Sequence, residues 1–314
     1  MYVSVVAVPL ELPLRGPRGE PVDFRRLLAS HGVATLPPTR IDEEAWTLET
    51  TVRLPRGRPR TIRLHERRPG IAAVEVLGPP AESVLGPVRR ILNLDEDLSQ
   101  FYAAAMDDPE LVWATRGAGR MLRSETVFQT VVTTICTTNC AWSGTVRMVT
   151  ALVQHLGEPS AAAKGHAFPT PDAMASADEA FYRDVARTGY RGPYLRSLAA
   201  SVAEGSVDLE GLDAVVAHEV ADDEVEERLL TLPGVGPYAA AHIMMLLGRH
   251  SRLILDSWTR PKFARVTGRK ASDAAIKRRF KRYGQFAGLA FWLWLTRDWV
   301  EEEAVSADPR DVEG

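Results

Sequence analysis

The pattern of apolar and polar positions changes near residue 90. Before it, apolar and β-branched residues come in short runs, VSVVAV at 3–8, AWTLETTVRL at 45–54, TIRLHE at 61–66 and IAAVEVLG at 71–78, separated by Pro, Gly and Arg. Such runs predict strands of an antiparallel sheet, with LPRGRPR at 54–60 as a hairpin turn. From Pro87 to Val300 the apolar positions recur at helical spacing, starting with VRRILNLDEDLSQFYAAAM, which predicts an almost wholly α-helical remainder. Ser124 is the expected N-cap of a long helix from Glu125, CTTN at 136–139 a break, and Gly157 the end of a second helix. Pro159 to Pro171 reads as a loop. Further helices are expected over 178–187, 193–204, 223–231, 237–248, 272–282 and 285–300, with Gly248 as a C-cap. The fold class is therefore α+β: a small N-terminal antiparallel β domain over 1–88, a mostly α-helical domain over 89–300, and an acidic tail over 301–314.

Composition narrows the function classes. Of 314 residues, 45% are hydrophobic and 25% charged, the balance of a globular protein rather than of a disordered chain, a collagen or a coiled coil. The two cysteines, Cys136 and Cys140, cannot build a disulfide framework or supply four ligands to a zinc or iron–sulfur centre. A reducing, cytoplasmic location is expected. The N-terminus has no basic segment ahead of its apolar stretch, and AGLAFWLWL at 287–295 falls short of the ~20 residues that span a bilayer, so no membrane partner is expected.

The net charge of −3 argues globally against a nucleic-acid partner. Locally the picture reverses. Between Ser257 and Gln285 ten basic residues stand against the single acid Asp273, a balance of +9, while six carboxylates crowd Glu219–Glu227.

The basic segment adjoins TLPGVGPYAAAHIMMLLG at 231–248 and LILDSWTRPKF at 253–263. Pro233-Gly234-Val235-Gly236-Pro237 reads as a turn between two helices, its glycines free to take positive φ and to let another backbone approach. The helix beginning at Tyr238 opens with unpaired amides that favour an anion such as a DNA phosphate. Asp256 follows the apolar run Leu253-Ile254-Leu255 and precedes Trp258, a setting that raises a carboxylate's energy unless it has work or a partner. It is also the natural N-cap of a helix starting near Ser257.

These blocks resemble the helix-hairpin-helix DNA glycosylase superfamily, which pairs an L-P-G-[VI]-G hairpin with an aspartate about twenty residues downstream. SETVFQTVVTTICTTNCAWSGTVRMVTALVQHLG at 124–157, RTGYRGPYLRSLA at 187–199 and YGQFAGLAFWLWLTRDW at 283–299 look like the family's other blocks in the right order. The β-rich front is similar to the N-terminal domain of its alkyladenine and oxoguanine branches. The resemblance implies Asp256 as the catalytic carboxylate. It implies Asn139 as the wedge that fills the gap left by a flipped base, and Tyr190 and Arg191 as contacts to the partner strand. Gly234, Val235, Gly236 and Arg260 are expected to hold DNA, and Tyr238, His242, Trp258, Phe291 and Trp294 to line the base pocket.

Departures from the family pattern choose among its branches. Bifunctional members carry a lysine where Tyr238 stands, so a monofunctional hydrolase is expected. Phe291 and Gly144 stand where the oxoguanine branch reads its base pair with Gln and Arg, which points to alkylated purines, with an oxidised base or non-catalytic DNA binding as the alternatives. The expected partner is double-stranded DNA with a damaged base, bound by a monomer in a bacterial cytoplasm and nucleoid. No cofactor is expected beyond a monovalent cation at the hairpin carbonyls, and no iron–sulfur cluster.

Overall fold

The computed structural model describes residues 9–300 apart from Pro80 and Ala217, so the expected strand at 3–8 and the acidic tail lie outside the described residues. Five strands, β1 (Leu10–Pro13), β2 (Arg40–Asp42), β3 (Thr47–Val52), β4 (Arg60–Arg68) and β5 (Ile71–Val76), form one antiparallel sheet in the order β1-β5-β4-β3-β2. The β3–β4 connection falls on the expected turn. Two short elements left no legible pattern: β2, three residues at the sheet edge, and helix α1 (Phe24–Leu28), five residues capped by Asp23, which accepts the Arg26 N–H at 3.0 Å.

One face of the sheet buries Leu48, Val52, Ile62, Leu64 and Val74 against Phe24, Leu27 and Leu28 of α1 and Val88 and Ile91 of α2 (Leu85–Ile91). Leu92, Leu94 and Leu122 complete this core. The boundary expected at residue 88 therefore cuts α2, whose apolar side belongs to the sheet.

The remaining helices are α3 (Ser99–Ala105), α4 (Val127–Thr137), α5 (Trp142–Leu156), α6 (Pro171–Ser176), α7 (Arg191–Ala203), α8 (Asp222–Leu230), α9 (Pro237–Leu246), α10 (Thr259–Thr267), α11 (Asp273–Phe280) and α12 (Ala287–Thr296). Thr126, not Ser124, caps α4, its hydroxyl accepting the Gln129 N–H at 3.1 Å. The helix expected over 178–187 is a single π-type turn at Phe181–Val185, and α6 precedes it, started by Thr170 and Pro171 at the end of the expected loop.

Two apolar cores organise these helices, and α9 belongs to both. Ala239, Ala240, Ile243 and Met244 face the core of α4, α5, α7 and α8, whereas Ala241, Met245 and Leu246 face that of α3, α10, α11 and α12. A helix apolar on all sides must be central, and α9 carries the residues after the hairpin into the middle of the molecule.

The sheet domain is fastened to the helices through residues 20–31. Buried Arg120 pairs with Glu20 at 3.2 Å and donates to the Asn93 and Glu96 carbonyls. The Ser30 hydroxyl accepts the Leu122 N–H at 3.0 Å, His31 Nε2 meets the Leu122 carbonyl at 2.7 Å, and Trp292 Nε1 donates to the Ser30 carbonyl at 2.8 Å. Removing one member of a buried ion pair leaves its partner uncompensated. Arg120→Met is expected to destabilise the protein by about 3–5 kcal/mol, read as a lowered urea midpoint.

Candidate active site

The acidic run at 219–227 builds the site's foundation. Asp222, Asp223 and Glu224 open α8, where the helix dipole favours them. Asp222 holds Arg249 at 3.1 Å and the Ser251 hydroxyl, while Arg252 is gripped by Asp223 and by Glu226 at 2.7 Å. The segment that leads from α9 to Asp256 is thus tied to the first turns of α8.

Between α8 and α9 the Val235 N–H closes the hairpin on the Leu232 carbonyl at 3.1 Å. Gly234 has φ 81°, which favours glycine, and a Cβ there would lie a tight 3.0 Å from Tyr194 Cδ2. Gly236 does not take the expected positive φ: at −103° it is extended, and it starts α9 with no side-chain cap and Pro237 in the first turn. The Val235 side chain is buried in the first core, leaving the hairpin backbone and the first α9 amides to face outward.

Asp256 stands three residues before α10, whose N-cap is Trp258 rather than Asp256, yet its carboxylate holds the amides at the helix start. Its Oδ1 accepts the Trp258 N–H at 2.9 Å and the Thr259 N–H at 2.6 Å, and its own N–H donates to Thr259 Oγ1 at 2.9 Å. Oδ2 accepts no hydrogen bond among the described residues. The charge reaches the neighbours expected from sequence. Tyr238 is raised above its ordinary pKa by burial and then by Asp256, and Arg260 by its bond to Asp273 with a smaller push from Asp256. His242 is lowered to about 4 by burial, with Asp256 opposing. The Tyr238 and His242 rings lie 5.9 Å apart.

Trp258 joins this group, but through a different residue of α12 than expected. Its ring lies 5.7 Å from Trp292 and 5.6 Å from Trp299. Phe291 is 0% exposed and packs on Phe263 and Phe280. Trp294 lies against Phe263 with Arg279 4.5 Å above its ring and its Nε1 on Glu110 at 2.9 Å. Two residues turn a helix by about 200°, so Trp292 and Trp294 point opposite ways, and it is Trp292, not Phe291 or Trp294, whose ring lies against Trp258. Nothing in the uniformly apolar AGLAFWLWL marks this choice. Ser30 and His31, which meet Trp292 and Leu122 from the sheet domain, were likewise beyond any local pattern.

The α4–α5 loop presents the second cluster. Asn139, exposed and at φ 44°, donates to Tyr190 Oη at 3.4 Å, and Tyr190 is 54% exposed. Arg191 does not join them at the surface: it is 6% exposed, its guanidinium lies 4.5 Å from the Tyr190 ring, and it donates to the Thr138 carbonyl. It supports the loop from beneath. Gly144 is equally structural, since a Cβ there would meet Cys140 Sγ at 2.6 Å. Cys136 is buried and its thiol pushed up to about 12 by burial, which makes it an unreactive core residue.

Tertiary contacts divide the basic segment. Arg260 forks onto Asp273 at 2.8 and 2.9 Å, and Lys262, Arg279 and Arg282 are matched by Asp298, Glu110 and Asp108. Arg265, Arg269, Lys270, Lys277, Arg278 and Lys281 form no ion pair among the described residues. Of these, Lys277, Arg278 and Lys281 line a groove of about 950 Å³ with Arg252, Arg260 and Tyr238. Among the described residues no group of three or more His, Cys, Asp or Glu side chains could hold a metal ion, and no helix is long and apolar enough to cross a membrane. The hairpin offers a cation only backbone carbonyls, with open space beside Gly236.

Two buried histidines set an acid limit. His31 is lowered to about 3 and His242 to about 4, each by burial, from 6.5. Below pH 6.5 these two rings take up protons in the unfolded chain that they do not take up in the native state, so their contribution to stability is lost on acidification toward pH 4 and 3 and is constant above pH 7. His242→Gln is expected to make the stability–pH profile between pH 6 and 4.5 shallower by about 1.4 kcal/mol per pH unit, measured by urea unfolding across that range.

No protein-family model and no curated protein sequence matches the chain. Solved structures do match. MBOgg1, solved with a low-affinity DNA ligand, is 18% identical with a TM-score of 0.70 over 93% of this chain and 96% of that one. The 3-methyladenine DNA-glycosylase from Archaeoglobus fulgidus is 19% identical with a TM-score of 0.68 over 92% and 98%. The 8-oxoguanine glycosylase/lyase of Clostridium acetobutylicum is 19% identical with a TM-score of 0.60 over 78% and 87%. With its five-stranded sheet set before a helical body and its hairpin between α8 and α9, the chain has the α+β fold of the DNA glycosylases.

Proposed function

We propose that the protein is a monofunctional DNA glycosylase of base excision repair that flips a damaged base, with alkylated purines favoured, and hydrolyses its N-glycosidic bond. The observation that carries this reading is Asp256: one oxygen locked by two backbone amides, the other without a protein partner, beside Tyr238, His242 and the Trp258–Trp292 pair. As the glycosidic bond breaks, the sugar becomes oxocarbenium-like, and a carboxylate already fixed in place stabilises that charge without reorganising. The same carboxylate orients the attacking water. Tyr238 offers no amine, so no Schiff base forms on the sugar.

The surrounding groups fit the other steps. Flipping costs a few kcal/mol, and Asn139 with Tyr190 stands at an exposed loop tip suited to fill the gap. The hairpin amides, the α9 N-terminus and the groove cations Lys277, Arg278 and Lys281 suit phosphates. A monovalent cation on the hairpin carbonyls would add positive charge for a phosphate; no chemical step depends on it. Indole faces attract a cationic alkylated purine by about 1–2 kcal/mol when water is excluded, and alkylated purines already have weakened glycosidic bonds. The folds of the 3-methyladenine and 8-oxoguanine enzymes support base release generally, and the absence of a lysine at Tyr238 favours the former as the model. We assign the protein as a monomer of the bacterial cytoplasm, bound to the nucleoid through DNA.

Asp256→Asn keeps the capping oxygen and removes the charge. It is expected to lower base release from methylated duplex by at least about 10²-fold with duplex affinity intact; unchanged release would sink the hydrolase mechanism. Wild-type reactions quenched with borohydride are expected to show no covalent DNA adduct. Among duplexes carrying 3-methyladenine, hypoxanthine or 8-oxoguanine, the first is expected to be processed fastest. Lys277→Ala and Lys281→Ala are each expected to reduce the slope of log K against log salt by about 0.9, measured by titration of duplex at several salt concentrations.

A further inference from the structure

Three ring nitrogens on two buried histidines have no hydrogen-bond partner: Nδ1 of His31 and both nitrogens of His242. Buried polar atoms are rarely left unpaired, because desolvation is then uncompensated. These three lie together, with the imidazoles edge to face at 6.5 Å. They also lead inward from the candidate site, since His242 is 5.9 Å from Tyr238, which lines the basic groove. The ring contacts run from Tyr238 to His242 to His31, with Trp292 tied to the adjacent Ser30 carbonyl.

The hydrogen bond to Leu122 settles the His31 tautomer. A carbonyl oxygen can only accept, so the Nε2 at 2.7 Å from it carries the proton. Burial keeps the ring neutral, with its pKa lowered to about 3, and a neutral imidazole holds one proton. Nδ1 is therefore a bare lone pair, buried and without a hydrogen-bond partner, in a ring packed edge to face with His242. His242, also neutral, adds one donor and one acceptor. Neither ring repels a cationic base.

We propose that His31 is a specificity-determining residue of this site: its Nδ1 accepts a hydrogen bond from an amine or ring N–H on the flipped base, selecting purines that carry such a donor. The proposal rests on the base-release reading. It makes the sheet domain part of the base pocket, because His31 lies on the segment after α1. A base with a donor edge replaces an unpaired acceptor by a hydrogen bond without stripping water from it. A base without one leaves the acceptor unpaired, and discrimination on that ground is large.

The test compares wild type, His31→Phe and His31→Gln in single-turnover release of 3-methyladenine from methylated duplex. Phenylalanine keeps the ring but loses both the acceptor and the bond to Leu122; glutamine keeps a donor for Leu122 and an acceptor for the base. Because the Leu122 bond does not choose among bases, the 3-methyladenine to 1,N6-ethenoadenine release ratio is read for each protein and is expected to fall at least tenfold in His31→Phe. His31→Phe is expected to release the base about 10–100-fold more slowly with duplex affinity unchanged, and His31→Gln to recover most of the rate. Release by folded His31→Phe within twofold of wild type overturns the proposal. If His31→Phe does not fold, wild type decides. Its rate enhancement over spontaneous loss is expected to be at least tenfold greater for 3-methyladenine than for 1,N6-ethenoadenine, whose N6 bears no hydrogen; equal enhancements overturn the proposal. A wild type that releases none of these bases refutes the glycosylase reading itself and this inference with it, an outcome distinct from release that is indifferent to His31.

Discussion

The site depends on how one short segment of the sheet domain is tied to the helices. Ser30 takes the Leu122 N–H on its hydroxyl and the Trp292 indole N–H on its carbonyl, and His31 returns a bond to the Leu122 carbonyl. These bonds are buried, where a missing partner is costly. They hold Trp292 in register with Trp258 and bring His31 to the edge of His242.

Charge is used in two ways in this molecule. Acids at the start of α8 hold Arg249 and Arg252, so that the chain reaches Asp256 from a fixed direction. Asp256 is in turn fixed by the Trp258 and Thr259 amides at the start of α10. The basic segment is partly spent on Asp108, Glu110, Asp273 and Asp298, and half of what remains unmatched, Lys277, Arg278 and Lys281, lines the groove beside Tyr238. The global charge of −3 is the sum of these separate arrangements and describes neither.

Legibility followed the range of the physics involved. The hairpin, its glycine and the downstream aspartate were readable because turn chemistry and side-chain-to-backbone bonds act within a few residues: Gly234 takes positive φ, and Asp256 accepts the Trp258 and Thr259 amides at the start of α10. The exposed pair Asn139 and Tyr190 was readable as a loop motif, yet the next residue, Arg191, turned inward to hold the Thr138 carbonyl. The choice among Phe291, Trp292 and Trp294 was not readable. On a helix apolar all round, periodicity carries no direction, and only the neighbours decide which face is core.

The sequence by itself determined the two-part α+β order, the helix–hairpin–helix with its aspartate, the absence of a lysine at Tyr238, and the uneven charge. These are short-range features, set by turn formers, caps and period. The tertiary structure alone decided which α12 tryptophan meets Trp258, which cations stay unpaired, and that His31 stands beside His242 although 211 positions separate them in the chain. Those outcomes come from packing two domains around α9, where close-packed interiors leave one arrangement for side chains whose local preferences are equal.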